Sequence, residues 1–189
     1  MRLFIAALIS EEVRIALAQA QTALQRALPD RALRWVAPEN YHITLLFLGE
    51  QPEERVPHIV QAMKTARHGV PPFPVRVQGL GVFPNWNRPQ VLWAGVQQGA
   101  TPLGQMATTL AHHLMPAPSD KPFHPHITLA RLKTPYRDAN GLKKRLFDAV
   151  QRLLPADFGA FELHAISLMH STLTPTGAIY TELERVNLI

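Results

Sequence analysis

Apolar and polar positions alternate along this chain with two different periods. Residues 2–9, Arg2-Leu3-Phe4-Ile5-Ala6-Ala7-Leu8-Ile9, are apolar on both faces and predict a central strand. A signal peptide is the weaker reading, because the run is short, Glu11 and Glu12 follow at once, and no small-residue cleavage site appears. Ser10 predicts an N-cap. Val13, Leu17, Ala20, Leu24 and Leu28 then recur at steps of three and four, the stripe of an amphipathic helix ended by Pro29-Asp30. Residues 33–37 and 41–48 read as strands around a Pro38-Glu39-Asn40 turn, and Pro52 opens a helix to about Arg67. After a break at Pro71-Pro72-Phe73-Pro74, strands over 75–83 and 91–96 flank a proline-bounded loop. A helix spans 102–114 and a proline-rich connector 115–122. A strand follows over 126–133, a helix over 139–153, and strands over 158–169 and 178–186. Helices alternating with strand pairs predict an α+β protein with largely antiparallel or mixed sheets.

One apolar pattern occurs twice. His42-Ile43-Thr44-Leu45 and His126-Ile127-Thr128-Leu129 stand 84 residues apart in a chain of 189, which predicts an internal duplication. In a strand, residues i and i+2 share a face. Each copy therefore presents one imidazole and one hydroxyl together and turns Ile and Leu to the other side. A single His-x-Thr in a strand is common and usually structural; two copies in the same apolar frame are not. Strict alternation puts Phe47, like Tyr41, on the core face opposite His42, and puts Arg131 on the face opposite His126 unless the strand bulges or twists.

Composition narrows the chemistry. The chain is 47% apolar and 17% charged, so it should fold throughout. Cysteine is absent, which excludes a disulfide framework, a thiolate nucleophile and a Cys-type zinc site, and fits a cytoplasmic protein. No apolar stretch approaches the ~20 residues needed to span a bilayer. The formal net charge of +5 favours phosphate-rich partners. Gly79-Leu80-Gly81 lacks a third glycine and a following helix, which argues against a dinucleotide loop. Zinc would need three or four clustered ligands, and neither motif carries a carboxylate on the face of its histidine.

Two histidines suffice for cleaving a cyclic phosphodiester. The attacking water must lose a proton and the departing ribose oxygen must gain one. A neutral and a protonated imidazole do these two tasks near neutral pH, without metal or organic cofactor. The threonine hydroxyls can donate to the non-bridging phosphate oxygens. Among the other histidines, His58, His68, His112 and His113 read as solvated. His124, His164 and His170 are candidates to line the site. Trp35 and Trp93 read as core, and Trp86 as either a base-stacking or a loop-packing residue.

His42-Ile43-Thr44-Leu45-Leu46-Phe47-Leu48-Gly49-Glu50 and Phe123-His124-Pro125-His126-Ile127-Thr128-Leu129-Ala130-Arg131 resemble the paired motifs of the two-histidine (2H) phosphoesterase superfamily. Within it the chain is most similar to the RNA 2′,3′-cyclic phosphodiesterases once named 2′-5′ RNA ligases. The segments at Arg2-Leu3-Phe4-Ile5-Ala6, at residues 88–95 and at residues 168–171 and 177–180 carry the resemblance along nearly the whole chain. The resemblance implies one bilobal, pseudo-twofold catalytic domain over 1–189: two mostly antiparallel sheets with flanking helices around a central cleft, with one motif per lobe, at 42–45 and 126–129. It implies that His42 is the proton donor and His126 the proton acceptor, and that Thr44, Thr128 and Arg131 bind the phosphate. The substrates it implies are RNA ends carrying a 2′,3′-cyclic phosphate, on tRNA-like or other fragments, opened to 2′-phosphomonoesters by a monomer, with 2′-5′ ligation as the reverse reaction. The rival readings are an RNA-end-binding module without turnover, and a 2H enzyme acting on 2′-5′ linkages or small cyclic nucleotides.

Overall fold

The structure is a computed structural model and describes residues 1–28, 32–117, 122–133, 141–175 and 177–189. The predicted helix stop at Pro29-Asp30, part of the connector and residues 139–140 of the last predicted helix lie outside the described residues. The elements run β1 (Arg2–Leu8), α1 (Glu11–Ala27), β2 (Leu33–Trp35), β3 (His42–Glu50), α2 (Val56–Ala66), β4 (Phe73–Phe83), β5 (Val91–Val96), α3 (Ala100–Leu114), β6 (His126–Leu132), α4 (Leu142–Leu153), β7 (Asp157–Leu163), β8 (Ala165–Thr174) and β9 (Gly177–Asn187). Ser10 caps α1 as its sequence position predicts, its hydroxyl accepting from the Val13 N–H. No helix among the described residues is long and apolar enough to cross a membrane.

Among the described residues nine strands join in one sheet, in the order β7-β4-β5-β6-β3-β1-β8-β9, with β2 attached to β6. Every pairing is antiparallel. The two sheets that the resemblance implies are the two halves of this sheet, β9-β8-β1-β3 and β6-β5-β4-β7. They meet at one residue pair, Ile43 of β3 opposite Ile127 of β6. Helices α2 and α3 pack together on the first half, and α1 and α4 on the second.

The duplication is visible in the topology. The series β1-α1-β3-α2-β4 has its counterpart in β5-α3-β6-α4-β8, yet β4 lies in the half that holds β5, and β8 in the half that holds β1. Each half thus borrows its third strand from the other repeat. That exchange explains one departure from the predicted elements. Residues 158–169, read as one strand, are two, because β7 closes one half and β8 enters the other. The break falls at His164, whose carbonyl accepts from the Leu188 N–H at 2.8 Å. No glycine or proline stands there to signal it. A second departure is that Phe73 and Pro74 belong to β4. Its pairing with β5 begins only at Val77, so the missing N–H of Pro74 is tolerated.

Ile43 and Ile127 are fully buried, in a core that runs through both halves. Truncating a buried isoleucine to alanine removes transfer free energy and leaves a cavity, together costing ~2–5 kcal/mol. Ile127→Ala is expected to fall in that range by urea unfolding, with a larger loss of activity than the folded fraction explains. A variant of unchanged stability would contradict a seam held by this pair.

Candidate active site

The two motifs become one site through the pairing of Ile43 with Ile127. In an antiparallel ladder the neighbours of that pair are His42 beside Thr128 and Thr44 beside His126. Imidazole and hydroxyl thus alternate around a four-cornered patch, and all four side chains line one cleft of about 470 Å³. Each histidine is held in the same way. His42 Nδ1 lies 2.7 Å from the Asn40 carbonyl oxygen, and His126 Nδ1 lies 2.7 Å from that of His124, two residues upstream in both copies. A carbonyl only accepts, so each Nδ1 carries the proton and each neutral ring leaves Nε2 free to take one. The Thr44 hydroxyl stands 2.9 Å from His42 Nε2. Asn40 is itself tied to β9 by its Nδ2, which donates to the Ala178 carbonyl at 2.8 Å.

A β-bulge recurs in both copies. Against β1 the register of β3 skips Leu45, and against β5 that of β6 skips Leu129, the same position of each motif. Leu129 and Ala130 are both buried, and alternation resumes one step out of phase. Arg131, which strict alternation sends to the opposite face, therefore lines the cleft. The same slip corrects the reading of Phe47 as core: it is 62% exposed and also lines the cleft. Tyr41, before the bulge, is buried as expected, and its hydroxyl donates to Gln21 Oε1 inside the core.

Aromatic walls flank the two imidazoles. Phe4 and Tyr180 approach His42 with ring centroids at 4.9 and 5.3 Å. Phe83 meets His126 edge-on at 4.9 Å, and Trp93 stands 4.9 Å from His124. Trp93, read as core from the sequence, is half-buried in this wall. Its indole covers Gly81, where a Cβ would come within 2.4 Å of the ring, so that glycine serves packing and not a phosphate loop. Trp86 packs edge-on against Phe147 at 5.2 Å, which is the loop-packing alternative.

A family model described as LigT-like phosphoesterase matches the chain twice, over residues 8–93 and 95–180, once for each repeat. The chain belongs to this family. It is 37% identical over 196 residues to the RNA 2′,3′-cyclic phosphodiesterase of Thermus thermophilus, a match that covers all of this chain and 90% of that protein. Its fold matches the crystal structure of TT0787 of Thermus thermophilus with a TM-score of 0.78 at 36% identity, covering 100% of this chain and 98% of that one. It also matches E. coli LigT complexed with 3′-AMP, with a TM-score of 0.70 at 27% identity, covering 99% of this chain and 97% of that one.

Both repeats contribute to one cleft, but the surroundings of the two histidines differ. Burial pushes the His42 imidazole below its usual 6.5; the bond to the Asn40 carbonyl opposes this, and the charge of His126 adds to it. Burial also lowers His126, where the His124 carbonyl opposes and the charges of His124 and Arg131 add to the fall. Of the remaining histidines, His58, His68, His112, His113 and His164 are exposed, and His170 pairs within β8 and β9 away from the lining. Asn40, Phe4, Tyr180 and Phe83 were not singled out as site residues in the sequence. Only Asn40 could have been, as the residue two before a motif histidine. Among the described residues no group of three or more His, Cys, Asp or Glu side chains is placed to hold a metal.

The lowered histidines have a consequence for folding. Above 6.5 both are neutral in either state and contribute nothing. As the pH falls below 6.5 the unfolded chain takes up protons first, so folding stability is lost progressively until the pH passes the folded values. Urea unfolding between pH 8 and 5 is expected to show this loss, and the His42→Asn, His126→Asn double variant a shallower slope. Parallel slopes would contradict burial as the cause.

Proposed function

We propose that the chain hydrolyses RNA 2′,3′-cyclic phosphate ends to 2′-phosphomonoesters, with His42 as the acid and His126 as the base. One observation carries the reading: two imidazoles stand across a single strand bridge, each with Nδ1 tied to a carbonyl, which leaves Nε2 as the nitrogen that gains or gives a proton. The names of the relatives support the substrate class, and the structure of a relative with 3′-AMP supports a nucleotide in the cleft.

In this mechanism the cyclic phosphate lies between the histidines. Neutral His126 takes a proton from water at Nε2 as the water oxygen attacks phosphorus in line. The P–O3′ bond breaks, and protonated His42 gives its Nε2 proton to the ribose 3′ oxygen. Thr44 and Thr128 donate to the non-bridging oxygens, and Arg131 balances the charge that builds there. The repeats differ where the roles differ. Arg131 bears on His126 and favours its neutral form, while Phe47, its counterpart beside His42, carries no charge. That supports His126 as the base. With an RNA 5′ hydroxyl in the place of water, His126 would take its proton, the P–O3′ bond would break with His42 protonating O3′, and the same pair would join RNA ends through a 2′-5′ linkage. A binding module without turnover would gain nothing from two histidines held in the same tautomer.

Each proton transfer typically contributes ~10²–10⁴-fold. His42→Ala and His126→Ala are each expected to lower kcat by about that factor on a cyclic-phosphate-ended RNA, and Thr44→Val or Thr128→Val by ~10–10³-fold. The profile of kcat/KM against pH should be a bell displaced to the acid side of neutrality, since burial lowers both groups, and activity should survive EDTA. Product analysis that finds a 3′-phosphate, or a double variant of full activity, would refute the assignment.

A further inference from the structure

The cleft has a second polar end that the acid–base chemistry does not use. Its lining carries two arginines, Arg131 and Arg2, and no carboxylate among the described residues. The two come from different strands. Arg131 stands on β6 opposite Val91 of β5, and its equivalent in β3 is Phe47, opposite Phe4 of β1. Arg2 stands two residues before Phe4, a position held in the other repeat by Pro89, two before Val91. Each repeat thus gives the cleft one cation, at different depths.

Residues 2, 4 and 6 of a strand share a face. Phe4 and Ala6 pack with Met169 and Tyr180 on the cleft side of the sheet, so alternation turns Arg2 the same way. Leu3 pairs with His170 and Phe4 with Met169, which brings Arg2 opposite Ser171, and Ser171 lines the same cleft. Arg2 has no carboxylate within 4 Å among the described residues. Glu50, its neighbour across β3, lies outside the lining, with its Oε2 3.4 Å from the Met1 ammonium. A guanidinium fork beside a hydroxyl, with no carboxylate to neutralise it, suits a phosphate.

This end is set back from the histidines. The Phe4 and Tyr180 rings, with centroids 5.0 Å apart and both beside His42, lie between. From Phe4 to Arg2 the strand runs two residues, roughly 6.6 Å. A ribose bridges such a gap. The charge that bears on His42 is that of His126, whereas Arg131 bears directly on His126. Arg2 therefore stands apart from the reacting phosphate.

We propose that Arg2 and Ser171 form a second phosphate subsite, which holds the phosphodiester on O5′ of the terminal nucleoside while the cyclic phosphate lies between the histidines. The subsite rests on the phosphodiesterase reading and adds a means of telling RNA ends from small cyclic nucleotides. A nucleoside 2′,3′-cyclic phosphate carries nothing for it to hold, whereas the last nucleotide of an RNA carries a phosphodiester on O5′. The terminal ribose then crosses the Phe4 and Tyr180 rings.

The test compares adenosine 2′,3′-cyclic phosphate with its 5′-phosphorylated form and with the dinucleotide ApA ending in a 2′,3′-cyclic phosphate. The wild type is expected to show a KM about 10-fold lower for the last two, between the effect of an exposed ion pair and that of a desolvated charge-assisted contact. Arg2→Ala should erase that advantage, with kcat retained and the substrate without a 5′-phosphate unaffected. Ser171→Ala should remove part of it, and Arg2→Lys, which keeps the charge and loses the fork, should keep part. Arg152→Ala, which removes an exposed arginine of α4, controls for net charge and should change nothing. Equal losses on all three substrates, a wild type indifferent to the 5′-phosphate, or the same loss from Arg152→Ala would overturn the subsite. Calorimetry with 3′-AMP and adenosine 3′,5′-bisphosphate separates it from the reaction. If the wild type turns over none of the three substrates yet binds the bisphosphate more tightly, and Arg2→Ala levels the two, the subsite stands and the phosphodiesterase reading fails. If the two bind equally to the wild type, the subsite fails whatever the activity.

Discussion

Everything at the site depends on how two strands of opposite halves meet. Ile43 and Ile127 are fully buried and directly opposed, the only bridge between β3 and β6 among the described residues. A strand slipped by one residue would present its other face. Here a slip of either strand would turn its histidine inward and its isoleucine into the cleft, so the burial of each apolar side chain fixes the position of a polar one. Hydrophobic packing thus sets the geometry of the chemistry, and the cost of losing register falls on the core as well as on the site.

The repeated bulge gives the next constraint. Leu45 and Leu129 hold equivalent positions, and each shifts the phase of its strand just after the threonine. Without the shift Leu46 and Ala130 would follow residues 44 and 128 on the cleft face. With it, Phe47 and Arg131 take that place. The duplication therefore repeats the geometry while the residues at its last position diverge. One repeat supplies a cation beside its histidine and the other an apolar ring. Identical tripeptides acquire different electrostatic surroundings through two differences, His124 for Asn40 and Arg131 for Phe47, at positions that both copies share.

Much of this was legible in the sequence, and the parts that were not share a cause. Periodicity marked nearly all the elements, because each buries one face against the same core. The doubled tripeptide marked the histidines and threonines. A bulge was the stated condition for Arg131 to reach the site, but neither bulge could be placed, since Leu-Leu and Leu-Ala carry no glycine or turn residue and look like ordinary strand interior. The split at His164 escaped for the same reason: the chain changes its pairing partner while remaining extended. Trp93 read as core because an apolar strand residue usually is, whereas its ring fills the space over Gly81 and faces His124. What could not be read was which neighbour each strand would find, a property of the exchange of β4 and β8 between halves and not of any local pattern.

That exchange bears on why the two halves stay together. With a single bridge between β3 and β6, the seam has little hydrogen bonding of its own. Yet β4 belongs to the first repeat and is built into the second half, while β8 belongs to the second repeat and pairs with β1. To separate the histidines the halves would have to draw a strand out of each sheet, breaking the ladders of β4 with β5 and β7 and of β8 with β1 and β9. A cleft can then be open at its rim and still hold its two acid–base groups at fixed spacing, which proton transfer on opposite sides of one phosphorus atom demands.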